Sequence, residues 1–151
     1  MDPQRDLEIT RIIRAPRSAI WTAWSNPEQF AKWWIPAPAL CRVVELDLRP
    51  GGAMITEMSE DGGAFGPHMN ACYLAVEAER RIVFTNALTG GWRPAENPFM
   101  TAEITLADHD EGTAYRALVM HKSPEQRAWH EEMGFFDGWG GVTEQLAALV
   151  E

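Results

Sequence analysis

Cysteine and positive charge are scarce in this sequence, and long apolar runs are missing. Only Cys41 and Cys72 are present among 151 residues, so no disulfide framework is implied and a reducing, cytoplasmic setting is expected. No stretch approaches the ~18 consecutive apolar residues of a membrane span. The first residues, Met1 to Asp6, do not resemble a signal peptide. These absences predict a protein without membrane insertion.

Basic residues number 13 against 22 acidic ones, which leaves a formal net charge of -9. Nucleic acids and anionic membranes are bound through clustered Lys and Arg, so the charge argues against both partners. No nucleophile elbow, phosphate-binding glycine loop, dinucleotide fingerprint or CxxC pair occurs. The helix around His130 lacks the second histidine of a zinc-protease motif. Neither a metal site nor a cofactor is therefore predicted.

Aromatic bulk is what the chain does have, with seven tryptophans and an apolar content of 46%. The length and this composition predict one soluble globular domain covering residues 1–151. Tryptophans fill cores, but they also line pockets for flat or apolar ligands. The sequence therefore favours a protein whose function involves an apolar surface or cavity.

The longest predicted element is a helix from Ser123 to Val150. Its start, Ser123-Pro124-Glu125-Gln126, combines a capping residue, a proline at the first helical position and a capping-box glutamine. Residues of one helical face then recur at steps of three and four: Trp129, Met133, Phe136, Gly140, Thr143, Ala147 and Val150. Four glycines between Gly134 and Gly141 leave two interpretations open. The first is one helix, either kinked and packed tightly on the sheet or covering a cavity, and the second is two helices.

Seven stretches rich in β-branched or alternating apolar residues predict strands: 7–13, 44–48, 53–59, 67–76, 81–85, 100–106 and 113–120. Two short helices follow the first strand, one over 16–24 and one that begins at Asn26-Pro27. Because successive strands are joined by short turns, we expect an antiparallel sheet in an α+β fold. A curved sheet against the long helix leaves a space that aromatic side chains fill or line.

A series of motifs runs through the chain in a fixed order. They are Ile13-Arg14-Ala15-Pro16 with Trp21-Thr22-Ala23-Trp24, Asn26-Pro27-Glu28 with Trp33-Trp34, residues 44–52, 81–85, 91–94, 97–101 and 130–135, and Gly138-Trp139-Gly140. Together they resemble the START-like (SRPBCC) superfamily, and within it the AHSA1-like family named after the activator of Hsp90 ATPase. The resemblance implies a helix-grip fold, a curved antiparallel sheet wrapped around a long C-terminal helix. It implies binding of lipids, hormones or polyketide intermediates, or cyclase or hydratase activity.

One departure from that family concerns Phe136-Asp137, where relatives often have a His-Glu pair before Gly-Trp. The candidate catalytic residue is His121, which shares a strand face with Tyr115 and directly precedes the long helix. Its alternative is a hydrogen bond to a loop carbonyl. The predicted ligand-binding residues are Trp34, Phe65, His68, Tyr73, Trp92, Phe99, Met100, Phe135 and Trp139.

Three functional hypotheses follow from these patterns. The leading one is binding of a small hydrophobic or aromatic molecule between the sheet and the long helix. The second is a cyclase- or dehydratase-like enzyme in which His121 is the general base and Tyr73 or Asp137 assists. The third is a co-chaperone-like interaction module or a homodimer that uses exposed tryptophans as a contact patch.

Overall fold

The computed structural model describes residues 1–151 and places seven strands in one antiparallel sheet. In chain order the elements are β1 (Asp6–Ile13), α1 (Arg17–Ser25), α2 (Pro27–Phe30), β2 (Leu40–Leu46), β3 (Ala53–Ser59), β4 (Gly66–Glu77), β5 (Arg81–Thr85), β6 (Leu88–Thr89), β7 (Arg93–Pro94), β8 (Thr101–His109), β9 (Gly112–Met120), α3 (Pro124–Glu132) and α4 (Phe135–Val150). The sheet order is β1-β9-β8-β5-β4-β3-β2, and β6 and β7 pair separately. The predicted α+β fold is confirmed. None of the helices is long and apolar enough to cross a membrane.

The C-terminal helical region consists of two helices, which is the second of the two interpretations left open by its glycines. Gly134 separates α3 from α4 with a φ of 100°, a left-handed conformation that glycine adopts without steric cost. The predicted start is confirmed, because the Gln126 N–H donates to the Ser123 Oγ at 3.2 Å. The break shifts the helical phase, so the predicted single face does not continue across it: Phe136 is 49% exposed, whereas its neighbour Phe135 is buried.

The second strand also differs from its prediction. It begins at Leu40 and ends at Leu46, and its register against β3 shifts between Val43 and Glu45. A β-bulge adds one residue to a strand, and one residue is enough to exchange the two faces. Val44, which was expected on the apolar face, is therefore 57% exposed.

A cluster of aromatic side chains fills the space between the sheet and the helices at one end. Trp24 lies at its centre, with its ring centroid 4.9 Å from that of Trp33 and 5.6 Å from that of Phe30. The Trp33 Nε1–H donates to the Ala23 carbonyl at 2.9 Å, which fixes the orientation of that indole. The cluster ends at Trp34, whose ring meets Trp139 of α4 edge-on at 5.9 Å. Next to this contact, side chains leave a compartment between the sheet and α4 unfilled.

Candidate functional site

An open groove of about 690 Å³ lies where α3 and α4 pass β4 and the segment leading into β8. Its apolar lining consists of Met69, Pro98, Phe99, Met100, Trp129, Met133, Phe135 and Trp139. A smaller compartment of about 150 Å³ continues it towards Trp34, Pro36 and Val142. The two share His68, Met69, Met100, Gly138 and Trp139, so we treat them as one site, called the groove below. Small-molecule sites in proteins usually measure ~300–1,000 Å³.

The α4 side of the groove is formed by Phe135, Gly138 and Trp139. Residues four apart lie on the same helical face, and the rings of Phe135 and Trp139 accordingly stack at 6.0 Å and 27°. A Cβ added at Gly138 would meet no heavy atom within 4 Å. Gly138 thus leaves open space beside a wall of two aromatic rings.

The opposite wall is held in place by Asn86. Its side-chain Oδ1 accepts the backbone N–H groups of Phe99 and Met100, both at 2.9 Å. Phe99 then packs edge-on against Trp129 at 5.2 Å and against His130 at 4.7 Å. Because two backbone donors share one acceptor, the segment that carries Phe99 is anchored although it lies outside the strands.

Two histidines meet beside Phe99, His121 just after β9 and His130 on α3. The His121 Nε2 lies 2.8 Å from the His130 Nδ1, and the His121 Nδ1 lies 2.8 Å from the carbonyl oxygen of Arg5. A carbonyl can only accept, so the His121 Nδ1 carries a hydrogen. In the neutral ring its Nε2 then accepts from the His130 Nδ1–H. The predicted alternative to a catalytic role, a hydrogen bond from His121 to a loop carbonyl, is therefore present. The same ring also forms a hydrogen bond with His130.

The lining of the groove carries no Asp, Glu, Lys, Arg or Tyr, and its titratable residues are His68 and His130. Burial, with a smaller contribution from the charge on His121, lowers the pKa of His130 to about 4. Partial burial also lowers the pKa of His68, whose Nδ1 lies 3.0 Å from the Thr56 Oγ1. Both imidazoles are expected to be neutral at pH 7, so the groove carries no charge. Its other polar side chains are the amides of Asn86, Asn97 and Gln126.

This shift gives a pH dependence that can be measured. The native pKa of His130, about 4, is below its ordinary value of 6.5, so the unfolded chain takes up the proton first as the pH falls. The contribution of neutral His130 to the free energy of unfolding is fully present above about pH 6.5, and it decreases as the pH falls towards about 4. We expect the free energy of unfolding of the wild type, measured in urea relative to that of His130→Gln, to decrease as the pH falls from about 6.5 towards about 4. A stability difference that does not change across this window would contradict the assignment.

Six of the predicted ligand-binding residues line the groove: Trp34, His68, Phe99, Met100, Phe135 and Trp139. Tyr73 lies elsewhere, in the core against Phe84, and burial raises the pKa of its hydroxyl. Phe65 lies under the Arg42 guanidinium at 4.4 Å. Trp92 covers the turn at Gly51, outside the groove.

His121 is 7% exposed and does not line the groove, whereas His130 does. His121 lines an adjoining cavity of about 350 Å³ that also contacts Phe99. Asp137 is exposed and is not part of the lining. The geometry therefore brings neither Tyr73 nor Asp137 to a ligand in the groove. The sequence reasoning missed His130, although Gln126 and His130 lie four residues apart on one face of α3 and both line the groove.

The sheet, the two short helices after β1 and the groove under the C-terminal helices define a helix-grip domain of the START-like superfamily. A family model described as activator of Hsp90 ATPase homolog 1-like protein matches residues 14–151. The chain therefore belongs to this AHSA1-like family. The resemblance of its motifs to that family is confirmed.

Solved structures of similar proteins agree. Protein NE0264 from Nitrosomonas europaea is 41% identical, with a TM-score of 0.88 and coverage of 99% of this chain and 96% of that one. Protein Ms6760 from Mycobacterium smegmatis is 29% identical, with a TM-score of 0.79 and coverage of 97% and 90%. An AHSA1-like protein from Aeromonas hydrophila, 19% identical with a TM-score of 0.70 and coverage of 95% and 90%, shares the fold. No match was found among curated proteins.

Proposed function

We propose that this protein binds a small, uncharged apolar or aromatic molecule in the groove between the sheet and the two C-terminal helices. The observation that carries the proposal is the groove itself, which is about 690 Å³ in volume. Its lining combines aromatic and sulfur-containing side chains with uncharged polar ones and has no carboxylate, ammonium or guanidinium group. The helix-grip fold commonly binds hydrophobic ligands, which supports the same conclusion.

The exposure of large apolar side chains at the groove supports this proposal. Trp129 is 50% and Met133 66% exposed, and both line the groove. Apolar surface removed from water is worth about 25 cal/mol per Å². A ligand seated between these side chains and Trp139 would cover surface that the free protein leaves in contact with water.

The absence of charge in the lining bears on which ligands are suitable. A carboxylate or an ammonium ion placed here would lose hydration without gaining a counter-ion, which is costly. A neutral ring system loses little on leaving water and can stack on Phe135 and Trp139. The groove therefore favours flat, neutral molecules over charged metabolites.

Native mass spectrometry of the gently purified protein, followed by calorimetric titration with neutral bicyclic aromatics, tests the proposal. We expect either a retained small molecule or one-to-one binding of 1-methoxynaphthalene, with the negative heat-capacity change of apolar burial. An apo mass together with no binding heat from naphthalenes or indoles would contradict it. The same spectrum measures the oligomeric state and thereby tests the predicted homodimer.

A further inference from the structure

We propose that His130 is the polar anchor of the groove and that its Nε2 accepts a hydrogen bond from a hydroxyl group of the ligand. The inference rests on the proposed function and narrows the ligand to a class, a planar aromatic molecule with a phenolic or enolic O–H. His121 is the positioning residue, because it acts on the ligand only through His130.

The orientation of this anchor starts at the N-terminal turn. The carbonyl oxygen of Arg5 accepts the backbone N–H of His121 at 3.1 Å and also faces the His121 Nδ1 at 2.8 Å. One acceptor thus holds both the backbone and the ring of His121, which is almost fully buried. The His121 Nε2 is left as a fixed acceptor aimed at α3.

The His130 ring is consequently fixed in one tautomer. Its Nδ1 must supply the hydrogen in the 2.8 Å contact with the His121 Nε2, so the neutral ring has its lone pair at Nε2. That atom has no hydrogen-bond partner in the protein, and it is not sealed from solvent. Phe99 and Phe135 flank the ring at centroid distances of 4.7 and 5.1 Å, and neither side chain can donate a hydrogen bond to it.

The other imidazole of the groove is not constrained in this way. The His68 Nδ1 faces the hydroxyl of Thr56, and a hydroxyl can either donate or accept. His68 can therefore present either a donor or an acceptor, whereas His130 presents only an acceptor. This difference makes the two histidines a matched pair for experiment.

A free acceptor in an uncharged groove selects among ligand groups. A carboxylate would bring its own acceptors towards the lone pair of His130, and an ammonium ion would find no carboxylate in the lining. A hydroxyl donates one hydrogen bond and needs no counter-ion. The proton stays on the oxygen, because the pKa of His130, about 4, is far below that of a phenol, about 10. The contact is thus a neutral hydrogen bond that orients the ring.

The tautomers can be tested without a ligand by long-range ¹H–¹⁵N correlation spectra of the imidazole nitrogens near neutral pH. We expect Nδ1 to be protonated and Nε2 to be unprotonated in both His121 and His130. A His130 ring protonated at Nε2 would make that atom a donor and would overturn the proposal.

The ligand class is tested by comparing 1-naphthol with 1-methoxynaphthalene, which has the same ring but no hydroxyl donor. The wild type is expected to prefer 1-naphthol by about three- to tenfold, the usual value of one net hydrogen bond. His130→Phe should lose this preference and still bind 1-methoxynaphthalene. His121→Leu should weaken the preference, because the His130 ring is then free to present either nitrogen. His68→Phe changes the lining, and therefore the affinity for both probes, but should keep the preference for 1-naphthol.

The outcomes separate the two proposals. Binding of both probes by the wild type with equal affinity would overturn the hydroxyl anchor and leave the proposed function standing. Failure of both probes to bind would count against the proposed function and this inference together. A preference that survives in His130→Phe but disappears in His68→Phe would place the anchor on the wrong histidine. Equal weakening of both probes by His121→Leu would show a structural role and overturn the positioning role.

Discussion

Replacing Gly138 by leucine is expected to abolish binding in the groove while the domain stays folded. Gly138 lines both the larger and the smaller compartment, and a Cβ at this position meets no heavy atom within 4 Å. A leucine side chain that starts from this Cβ would extend into the groove and occupy volume that the ligand needs. Glycine inside a helix costs about 0.5–1 kcal/mol relative to alanine, so the free energy of unfolding should be kept or slightly raised.

Gly141→Leu is the matched control for this experiment. Gly141 belongs to the same helix and also has open space around its Cα, but it does not line the groove. Calorimetry with 1-methoxynaphthalene should show a loss of at least about tenfold in affinity, some 1.4 kcal/mol, for Gly138→Leu alone. Unchanged affinity in Gly138→Leu would move the ligand site away from α4. Equal loss in both variants would indicate an effect on the helix as a whole.

Replacing Trp24 by alanine is expected to be the most destabilising single change in the chain. The side chain is fully buried, and its ring contacts those of Trp33, Trp34 and Phe84. Truncation of a buried tryptophan costs about 3–5 kcal/mol, through lost burial and the cavity left behind. Domains of this kind are stable by about 5–15 kcal/mol, so much of the total would be lost.

Urea unfolding followed by far-ultraviolet circular dichroism measures this effect without depending on tryptophan emission. Trp129→Ala is the control, because Trp129 is half exposed, and it should lose no more than about 1–2 kcal/mol. Should Trp24→Ala not fold, Trp24→Phe keeps a ring in place and should lose about 1–3 kcal/mol. A cost for Trp24→Ala no larger than that of the control would show that the aromatic cluster does not form the core.

The elements that could be predicted from sequence depend on local rules. The start of α3 at Ser123-Pro124 needs only neighbouring residues, and the seven strands follow from alternation and turns. Phe135 and Trp139 were predicted as ligand-binding aromatics, and they stack because residues four apart share a helical face. These features do not depend on how the rest of the chain packs.

The features that could not be predicted depend on tertiary contacts or on one exceptional residue. The left-handed conformation of Gly134 decides which side chains of α3 face the groove, and four nearby glycines made it hard to locate. The hydrogen bond between His130 and His121 joins a helix to the end of a strand. Such a contact between two elements cannot be predicted from the periodicity of either one. Trp92 and Phe65 are large loop residues that pack on a turn and on Arg42, so exposure in a loop did not indicate a ligand.

The attachment of α3 has a consequence for how fast a ligand comes and goes. This helix has no fully buried side chain, although it supplies one side of the groove. It is joined to β1 by the Arg127 Nε–H, which donates to the Asp6 carbonyl at 2.9 Å. Segments with few buried contacts open at much lower free energy than the global unfolding transition. The residence time of a ligand would then be governed by the detachment of α3. Its affinity would be governed by its contacts with α4 and the sheet, so the two quantities can change independently. Faster amide hydrogen exchange in α3 than in α4 is the signature of this arrangement.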